Sequence, residues 1–407
     1  MSDWQIEQPC PQCGAPVTLE EADQILSCIF CRTRHILVTR DYFRYVITPP
    51  STVDGDLFYI PYWRLKGLSF SIEESNIVQC FIDMNMLASP MQGLPPSLGF
   101  RPQVLKLKFY SDALEGALLP YGTEKREAII NNQAQSTTGL VRYIGEVMSL
   151  VYSPFYIKDG RLYDAFEKKP LSGIDLSNLE FQASLSKRDD WKPIFLPTLC
   201  PQCGWDLLSE KDSNILLCRN CHSAWTGGGT ALEPVLFNII TPPSDLAGDW
   251  IYLPFWRMKI KADGVELSSY ADLIRLANLP RMPTEDLEKK QMLFWSPAFK
   301  VNPALFLRWC RQMTVFQPEG EVSDKLPKEV LYPITLPLED AVDGTMITLA
   351  SIMADKRKFP VLLPKVHVTL EDAVLVYHPF MKVRNELIHP VMKVSMDPSA
   401  LKYGVEL

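Results

Sequence analysis

The sequence predicts an α+β fold dominated by β-structure, in which one unit of about 190 residues occurs twice in tandem. Three observations carry that expectation. The spacing C-x2-C-x14-C-x2-C stands near the start of each half, as Cys10, Cys13, Cys28 and Cys31 and again as Cys200, Cys203, Cys218 and Cys221. Longer strings then recur in the same order behind each set. Finally, β-branched and aromatic segments bounded by Pro, Gly and Asp outnumber helical ones, with no strand–helix–strand rhythm of the kind that builds a nucleotide-binding sheet.

The recurring strings define the unit. Ile47-Thr48-Pro49-Pro50-Ser51 returns as Ile240-Thr241-Pro242-Pro243-Ser244, and Tyr59-Ile60-Pro61-Tyr62-Trp63-Arg64 returns as Tyr252-Leu253-Pro254-Phe255-Trp256-Arg257. Leu150-Val151-Tyr152-Ser153-Pro154-Phe155 returns as Leu375-Val376-Tyr377-His378-Pro379-Phe380. The offset is 190 at the cysteines, 193 at the first strings and 225 at the last, so the second half carries about 32 extra residues, expected within 280–365. This divides the chain into cysteine segment 1–40, β-rich module 41–192, cysteine segment 193–230 and β-rich module 231–407, with a joint at 186–193. Two like halves are expected to pack about a pseudo-two-fold axis.

Taken in order, residues 36–38, 42–47 and 57–62 read as strands. Residues 147–157, the tip Lys158-Asp159-Gly160 and residues 161–166 read as a hairpin, matched in the second half by one turning at Arg384-Asn385. Pro61, Pro154, Pro254 and Pro379 interrupt these strands and are expected at edges or bulges. Helices are expected at 304–313 behind Asn302-Pro303, at 268–277, at 124–133 and over parts of 338–356, broken at Asp343-Gly344. The run Gly227-Gly228-Gly229 reads as a linker.

The cysteine spacing points to metal chemistry. Two residues between cysteines let one tight turn aim both sulfurs at a single ion, and Zn²⁺ favours four thiolates in a tetrahedron. Cys10-Pro11-Gln12-Cys13-Gly14 recurs as Cys200-Pro201-Gln202-Cys203-Gly204, with proline setting φ as the turn begins and glycine accepting positive φ as it closes. Residues 17–26 and 206–217 are long enough to form a hairpin that returns the second pair to the first. Iron on the same ligands, a disulfide framework and thioredoxin-type redox pairs are the competing readings, and equal spacing written twice favours structural zinc.

Residues 8–38 and 198–226 resemble the zinc-ribbon (rubredoxin-like knuckle) family. That resemblance implies one structural Zn²⁺ on each cysteine quartet, two ions per chain, and a role in protein interaction or nucleic-acid binding. Arg32 and His222 stand where the family often has glycine after the last cysteine.

Other residues are weighed against plainer roles. His35 and His222 follow complete quartets and are not expected as ligands. Cys80 and Cys310 lie in apolar runs and read as core thiols. The aromatic–proline–aromatic strings read as core, with base stacking as the alternative. Arg32, Arg34, His35, Arg40 and Arg44 cluster after the first quartet and read as a solvated face or a contact surface. His367, His378 and His389 recur every eleven residues and read as strand histidines, with a metal or pH-sensitive cluster as the alternative.

Composition bounds the function. With 41 Lys+Arg against 48 Asp+Glu the net charge is −7, and neither half is basic, which disfavours a general polyanion binder. No phosphate loop, dinucleotide fingerprint, nucleophile elbow or H-E-x-x-H string is present. The sequence contains neither a secretory pattern at its start nor an apolar run long enough for a membrane span, so a cytoplasmic location is expected. The resulting expectation is a non-enzymatic, zinc-stabilised scaffold or adaptor mediating protein–protein interactions, with a subunit of a larger complex as one form of that role. The alternative is a nucleic-acid-binding or transcription-associated protein.

Overall fold

The computed structural model describes residues 4–50, 53–73, 75–99, 105–122, 141–185 and 191–403. The helix expected at 124–133 and most of the joint expected at 186–193 lie outside these residues.

The chain opens with two short hairpins whose turns carry the first four cysteines. Strands β1 (Gln5–Pro9) and β2 (Pro16–Glu20) flank Cys10 and Cys13, and β3 (Ile25–Ser27) and β4 (Arg34–Val38) flank Cys28 and Cys31. A large sheet follows, made of β5 (Phe43–Ile47), β6 (Asp56–Glu73), β7 (Asn76–Leu87), β8 (Leu107–Phe109), β9 (Ala117–Leu118), β10 (Val141–Lys158) and β11 (Arg161–Asp164). Its order is β2-β1-β8-β5-β10-β6-β7, with β11 on β10 and β9 on β6. The first cysteine hairpin is thus the rim of this sheet, joined through the parallel pair Ile6↔Leu107. Asp159 (φ 49°) and Gly160 (φ 68°) form the expected two-residue turn between β10 and β11, since both positions need positive φ there. A helix, α1 (Leu176–Leu185), closes the first half.

The second cysteine segment contributes β12 (Ile194–Pro197), β13 (Ile215–Cys218), β14 (Ser223–Gly228) and β15 (Ala231–Val235). The glycine run is no linker. Gly227 and Gly228 belong to β14, and a Cβ on Gly227 would stand 2.5 Å from Val38 Cγ2, so glycine is what lets this strand approach β4. On the other side β12 pairs antiparallel with β4, from Ile194↔Val38 to Pro197↔His35. The two cysteine segments therefore share one core of Ile25, Ile36 and Val38 against Leu207 and Leu216.

The last sheet comprises β16 (Phe237–Ile240), β17 (Trp250–Asp263), β18 (Phe294–Pro297), β19 (Val322–Ser323), β20 (Val330–Leu331), β21 (His367–Val383), β22 (Glu386–Ile388) and β23 (Ser395–Met396). Its order is β18-β17-β21-β16-β19, with β20 on β17, β22 on β21 and β23 on β22. Its central pairings repeat those of the first sheet. Tyr62 faces Val151 and Phe255 faces Val376; Tyr45 lies beside Val151 and Asn238 beside Val376. Helices α2 (Tyr270–Ala277), α3 (Pro303–Phe316), α4 (Leu338–Asp343) and α5 (Thr345–Ile352) cover it. Asn302 caps α3 by accepting from Leu305 N–H, Pro303 opens its first turn, and Gly344 separates α4 from α5. Where the first half has the long β6–β7 hairpin, the second inserts α2 between β17 and β18, partly ahead of the window expected for extra residues.

The expectation that the four strand prolines sit at sheet edges or bulges fails. Pro61 lies in β6, between β10 and β7, and Pro254 lies in β17, between β21 and β18. Each occurs where a neighbouring strand has just ended: β7 stops opposite Tyr62, and Ala88 N–H then reaches Pro61 O; β18 stops opposite Phe255, and Ala298 N–H reaches Pro254 O. Backbone groups of one residue point to the same side in an antiparallel ladder, so the missing proline N–H faces a side where no ladder bond is required. Pro154 and Pro379 likewise lie beyond the ends of β5 and β16. The bulges fall elsewhere, at Gly145/Val147 and Lys259/Ile260.

The aromatic–proline–aromatic strings are core, with Tyr59, Tyr62, Trp63, Phe255 and Trp256 all buried. The halves also meet. Leu68, Phe70, Ile72 and Ile144 of the first sheet enter the core of the second, where Phe70 packs on Phe306 with ring centroids 5.9 Å apart.

Candidate metal centres

Each cysteine pair is held by a turn that its sequence dictates. Gly14 N–H returns to Cys10 O (2.9 Å) and Cys10 N–H to Ala15 O (2.8 Å); Gly204 N–H returns to Cys200 O and Cys200 N–H to Trp205 O (both 2.8 Å). Gly14 and Gly204 sit at φ 75° and 73°, the conformation glycine adopts without a Cβ penalty. In the second turns Arg32 (φ 59°) and His222 (φ 53°) hold the same left-handed geometry despite their side chains. The departure from glycine noted in the sequence therefore leaves the turn intact.

These turns bring all eight predicted residues together as two quartets. Within each, the four sulfurs lie within 4.8 Å of one another. Cys10–Cys31 and Cys13–Cys28 are 3.6 and 3.7 Å apart, and Cys200–Cys221 and Cys203–Cys218 are both 3.5 Å apart. A tetrahedron with metal–sulfur bonds of ~2.3 Å has edges of about 3.8 Å. Disulfide bonding needs ~2.05 Å, and all eight cysteines are free. The donor set and its spacing fit one metal ion per quartet.

Hydrogen-bond donors surround the sulfurs. Thr33 Oγ1 lies 3.0 Å from Cys31 Sγ, and Ser223 Oγ lies 3.1 Å from Cys221 Sγ. Backbone N–H groups of Gln12 and Cys13 address Cys10, and those of Gln202 and Cys203 address Cys200. The two hydroxyls escaped the sequence reading, although Thr33 and Ser223 hold the same place two residues after the last cysteine of each set.

Ionisation is shared unevenly inside each quartet. The Thr33 hydroxyl and N–H draw Cys31 down to about 6. At Cys13 the bond from Ala15 N–H is outweighed by burial and three neighbouring thiols, pushing it up to about 12. In the second quartet burial of Cys200 is overcome by the Ser223 hydroxyl and the backbone donors, giving about 6. Cys221 rises to about 12 because burial and the other three thiols outweigh the Ser223 bond. Cys31 and Cys221 hold equivalent positions yet fall on opposite sides, as do Cys13 and Cys203, so the sharing belongs to the cluster and not to one sulfur. Four thiolates this close repel one another, and a central cation removes that conflict.

The remaining candidates are placed as follows. His222 is no ligand; its Nδ1 accepts from Leu326 N–H (3.0 Å), and with Arg219, which donates to Pro327 O (2.7 Å), it docks the second quartet on the last sheet. His35 is buried. The basic cluster divides: Arg34 donates to Ser209 O (2.6 Å) and Arg44 is buried and bonded to Asp41 and Tyr121, while Arg32 and Arg40 are exposed. Cys310 is a core thiol as expected, but Cys80, on the last strand of its sheet, is exposed.

His367 is exposed at the start of β21, whereas His378 and His389 are buried and meet at 3.2 Å. His389 Nδ1 accepts from Val391 N–H (3.3 Å) and Met392 N–H (3.2 Å), so its proton sits on Nε2 and is donated to His378 Nδ1. That tautomer leaves no lone pair for a metal at the contact. Among the described residues, only the two cysteine quartets gather three or more ligating side chains around one point.

A cavity of about 1010 Å³ lies among β7, α2 and α3, with Arg281, Arg308, Arg311 and Lys356 around apolar walls. No His, Cys, Asp or Glu lines it among the described residues. No helix among the described residues is long and apolar enough to cross a membrane. Compared with family models, with curated proteins and with solved structures, the chain has no match.

Proposed function

We propose that the chain is a non-enzymatic scaffold that binds other proteins, its cysteine segments being zinc ribbons with one structural Zn²⁺ on Cys10, Cys13, Cys28 and Cys31 and another on Cys200, Cys203, Cys218 and Cys221. The observation that carries this reading is the pair of sulfur quartets at tetrahedral spacing, each in a segment that shares one core with the other. Four thiolates complete the coordination of zinc and leave no position for water or substrate, so such ions serve folding and not catalysis. In a reducing compartment such as the cytoplasm the thiols stay available to metal.

The binding reading draws on the surface of the quartets. Ile29 and Phe30, between Cys28 and Cys31, are 83 % and 64 % exposed, and Trp205 beside Cys203 is 61 % exposed. Large apolar side chains on rigid turns are typical of protein contact sites. The recurrence of β5-β10-β6 as β16-β21-β17, in matching register, supports descent of the two halves from one duplicated unit, a ribbon followed by a β module.

The test has two parts. Metal analysis of the purified chain is expected to give two equivalents of zinc; iron or a value near zero overturns the metal assignment. Affinity isolation from native lysate, with and without nuclease, is expected to retain a protein partner in both arms and to lose it in an Ile29→Asp/Phe30→Asp variant that keeps both zincs. Loss on nuclease treatment would instead support nucleic-acid binding.

A further inference from the structure

Helix α3 presents two faces to different surroundings. Phe306, Trp309, Cys310 and Met313 are buried in the core of the last sheet. Ala304, Leu307, Arg308, Arg311, Gln312 and Val315, spaced as one stripe of a helix, line the cavity of about 1010 Å³. Ile77 of β7, Leu279 behind α2, Ile352 at the end of α5 and Val394 ahead of β23 supply its other walls. That volume is at the upper end of small-molecule sites, which run from about 300 to 1,000 Å³.

The charge of this space is of one sign. Arg281, Arg308, Arg311 and Lys356 line it, and no carboxylate does among the described residues. Elsewhere arginines meet acids: Arg44 pairs with Asp41, Arg64 with Glu21, Arg275 with Glu288 and Arg357 with Asp355. The cavity cations have no such partner among the described residues. Arg308 Nη2 donates to Ser395 O (3.2 Å), and the Arg281 guanidinium lies over the Tyr270 ring at 5.9 Å. Arg308 and Arg311 stand three residues apart on one helix face, where like charges repel and an anion between them removes the conflict. Beside them the Gln312 amide oxygen is buried without a partner, and the same amide turned over presents an N–H to an oxyanion.

We propose that this cavity binds one molecule of an amphipathic phosphate monoester, a phosphate head on an aliphatic chain. A guanidinium holds phosphate oxygens in a two-pronged contact. A phosphate monoester carries nearly two charges and three acceptor oxygens, so it can engage Arg308 and Arg311 together, whereas a carboxylate satisfies one fork. Leu279, Leu307, Val315 and Ile352 cover the chain, each buried methylene strengthening binding by about 4-fold. A nucleic-acid strand would leave these aliphatic walls unused, and the Tyr270 ring it could stack on is already covered by Arg281 and Lys290. A protein helix, about 10 Å across, would fill the volume with only about two turns.

The experiment is isothermal titration calorimetry of the full, metal-loaded chain with dodecyl phosphate below its critical micelle concentration. One saturable site in the micromolar range is expected. Inorganic phosphate, which lacks the chain, should bind ~100-fold more weakly, and dodecyl maltoside, which lacks the charge, ~10-fold more weakly. Arg308→Gln and Arg311→Gln are each expected to weaken dodecyl phosphate binding by ~10-fold, with unchanged far-UV circular dichroism and zinc content. Ala304→Trp, which narrows the cavity and keeps all four cations, is expected to weaken it by a similar ~10-fold. Absence of saturable binding, or affinity undiminished in both arginine variants or in Ala304→Trp, would overturn the proposal. So would dodecyl maltoside or oligothymidylate binding as tightly as dodecyl phosphate, or binding to phosphatidic-acid vesicles with none to the monomeric amphiphile.

Discussion

Arg64 is 2 % exposed and makes a two-pronged contact with the buried Glu21 carboxylate (Nε–Oε2 2.8 Å, Nη2–Oε1 2.6 Å), bonds Asp83 and stacks over Trp4 at 4.3 Å. This network clamps the first cysteine segment onto β6. Glu21→Leu leaves the buried Arg64 with only the partly exposed Asp83 as counter-charge, so it is expected to cost about 2–4 kcal/mol in urea unfolding, somewhat less than stranding a buried charge outright. Breaking the exposed Lys158–Asp54 pair by Lys158→Ala should leave the midpoint unchanged. The buried histidine pair makes a prediction of opposite origin. Burial holds His378 well below its ordinary range and His389 down to about 4, with Arg257 and Lys393 adding repulsion. Both rings are neutral when folded and take up protons when unfolded, so the pair's contribution is complete above ~6.5 and declines as pH falls from there towards 4. A His378→Leu/His389→Leu double variant should lose that part of the pH slope, read from unfolding free energies at pH 7.5 and 5; an unchanged slope would refute it.

At the scale of elements, glycine and proline have meanings that depend on what lies beside them. Gly227 reads as part of a linker in the sequence, yet it lies in β14 and its role comes from Val38 across the sheet-to-sheet contact. Gly227→Ala is therefore expected to destabilise by about 1–3 kcal/mol, measured by urea unfolding, because neither β14 nor the branched Val38 side chain can withdraw freely. The four strand prolines make the same point, since a proline is compatible with a central strand once the neighbour on its donor side has ended. The start of helix α3, by contrast, was readable in the sequence, because Asn302 and Pro303 act on groups within one turn of themselves, whereas the helix runs three residues past the expected end. β6 and β10, with 18 residues each, exceed what local pattern suggests, since both lie inside the sheet and their alternation is masked by burial on both faces.

For the whole molecule, the decisive feature is that the two sulfur quartets are not separate beads on a chain. β4 pairs with β12, approaches β14, and shares Ile25, Ile36 and Val38 with the second quartet's core. Gln24 and Ile25 N–H both reach Lys211 O, at 2.7 and 2.8 Å. Losing the metal at one quartet should therefore loosen the other. Cys28→Ser is expected to remove one zinc equivalent and to weaken the remaining site by about 10-fold, in the range of ordinary coupling energies. Titration against a chromophoric chelator measures this, and an unchanged second affinity would show the sites to be independent.

By itself the sequence determined the two cysteine quartets, the turns that present them, the β-dominated class, the tip at Asp159-Gly160 and the N-cap of α3. All of these depend on groups a few residues apart, where covalent geometry and φ preferences act directly. Only the tertiary structure decided that the two cysteine segments adjoin, that Arg34, Arg44 and His222 serve as ties, that His378 meets His389 while His367 stands apart, and that Cys80 faces solvent. Those outcomes turn on which strand is last in a sheet and which segments meet across it, and such choices are made by long-range burial of apolar surface that no local spacing encodes.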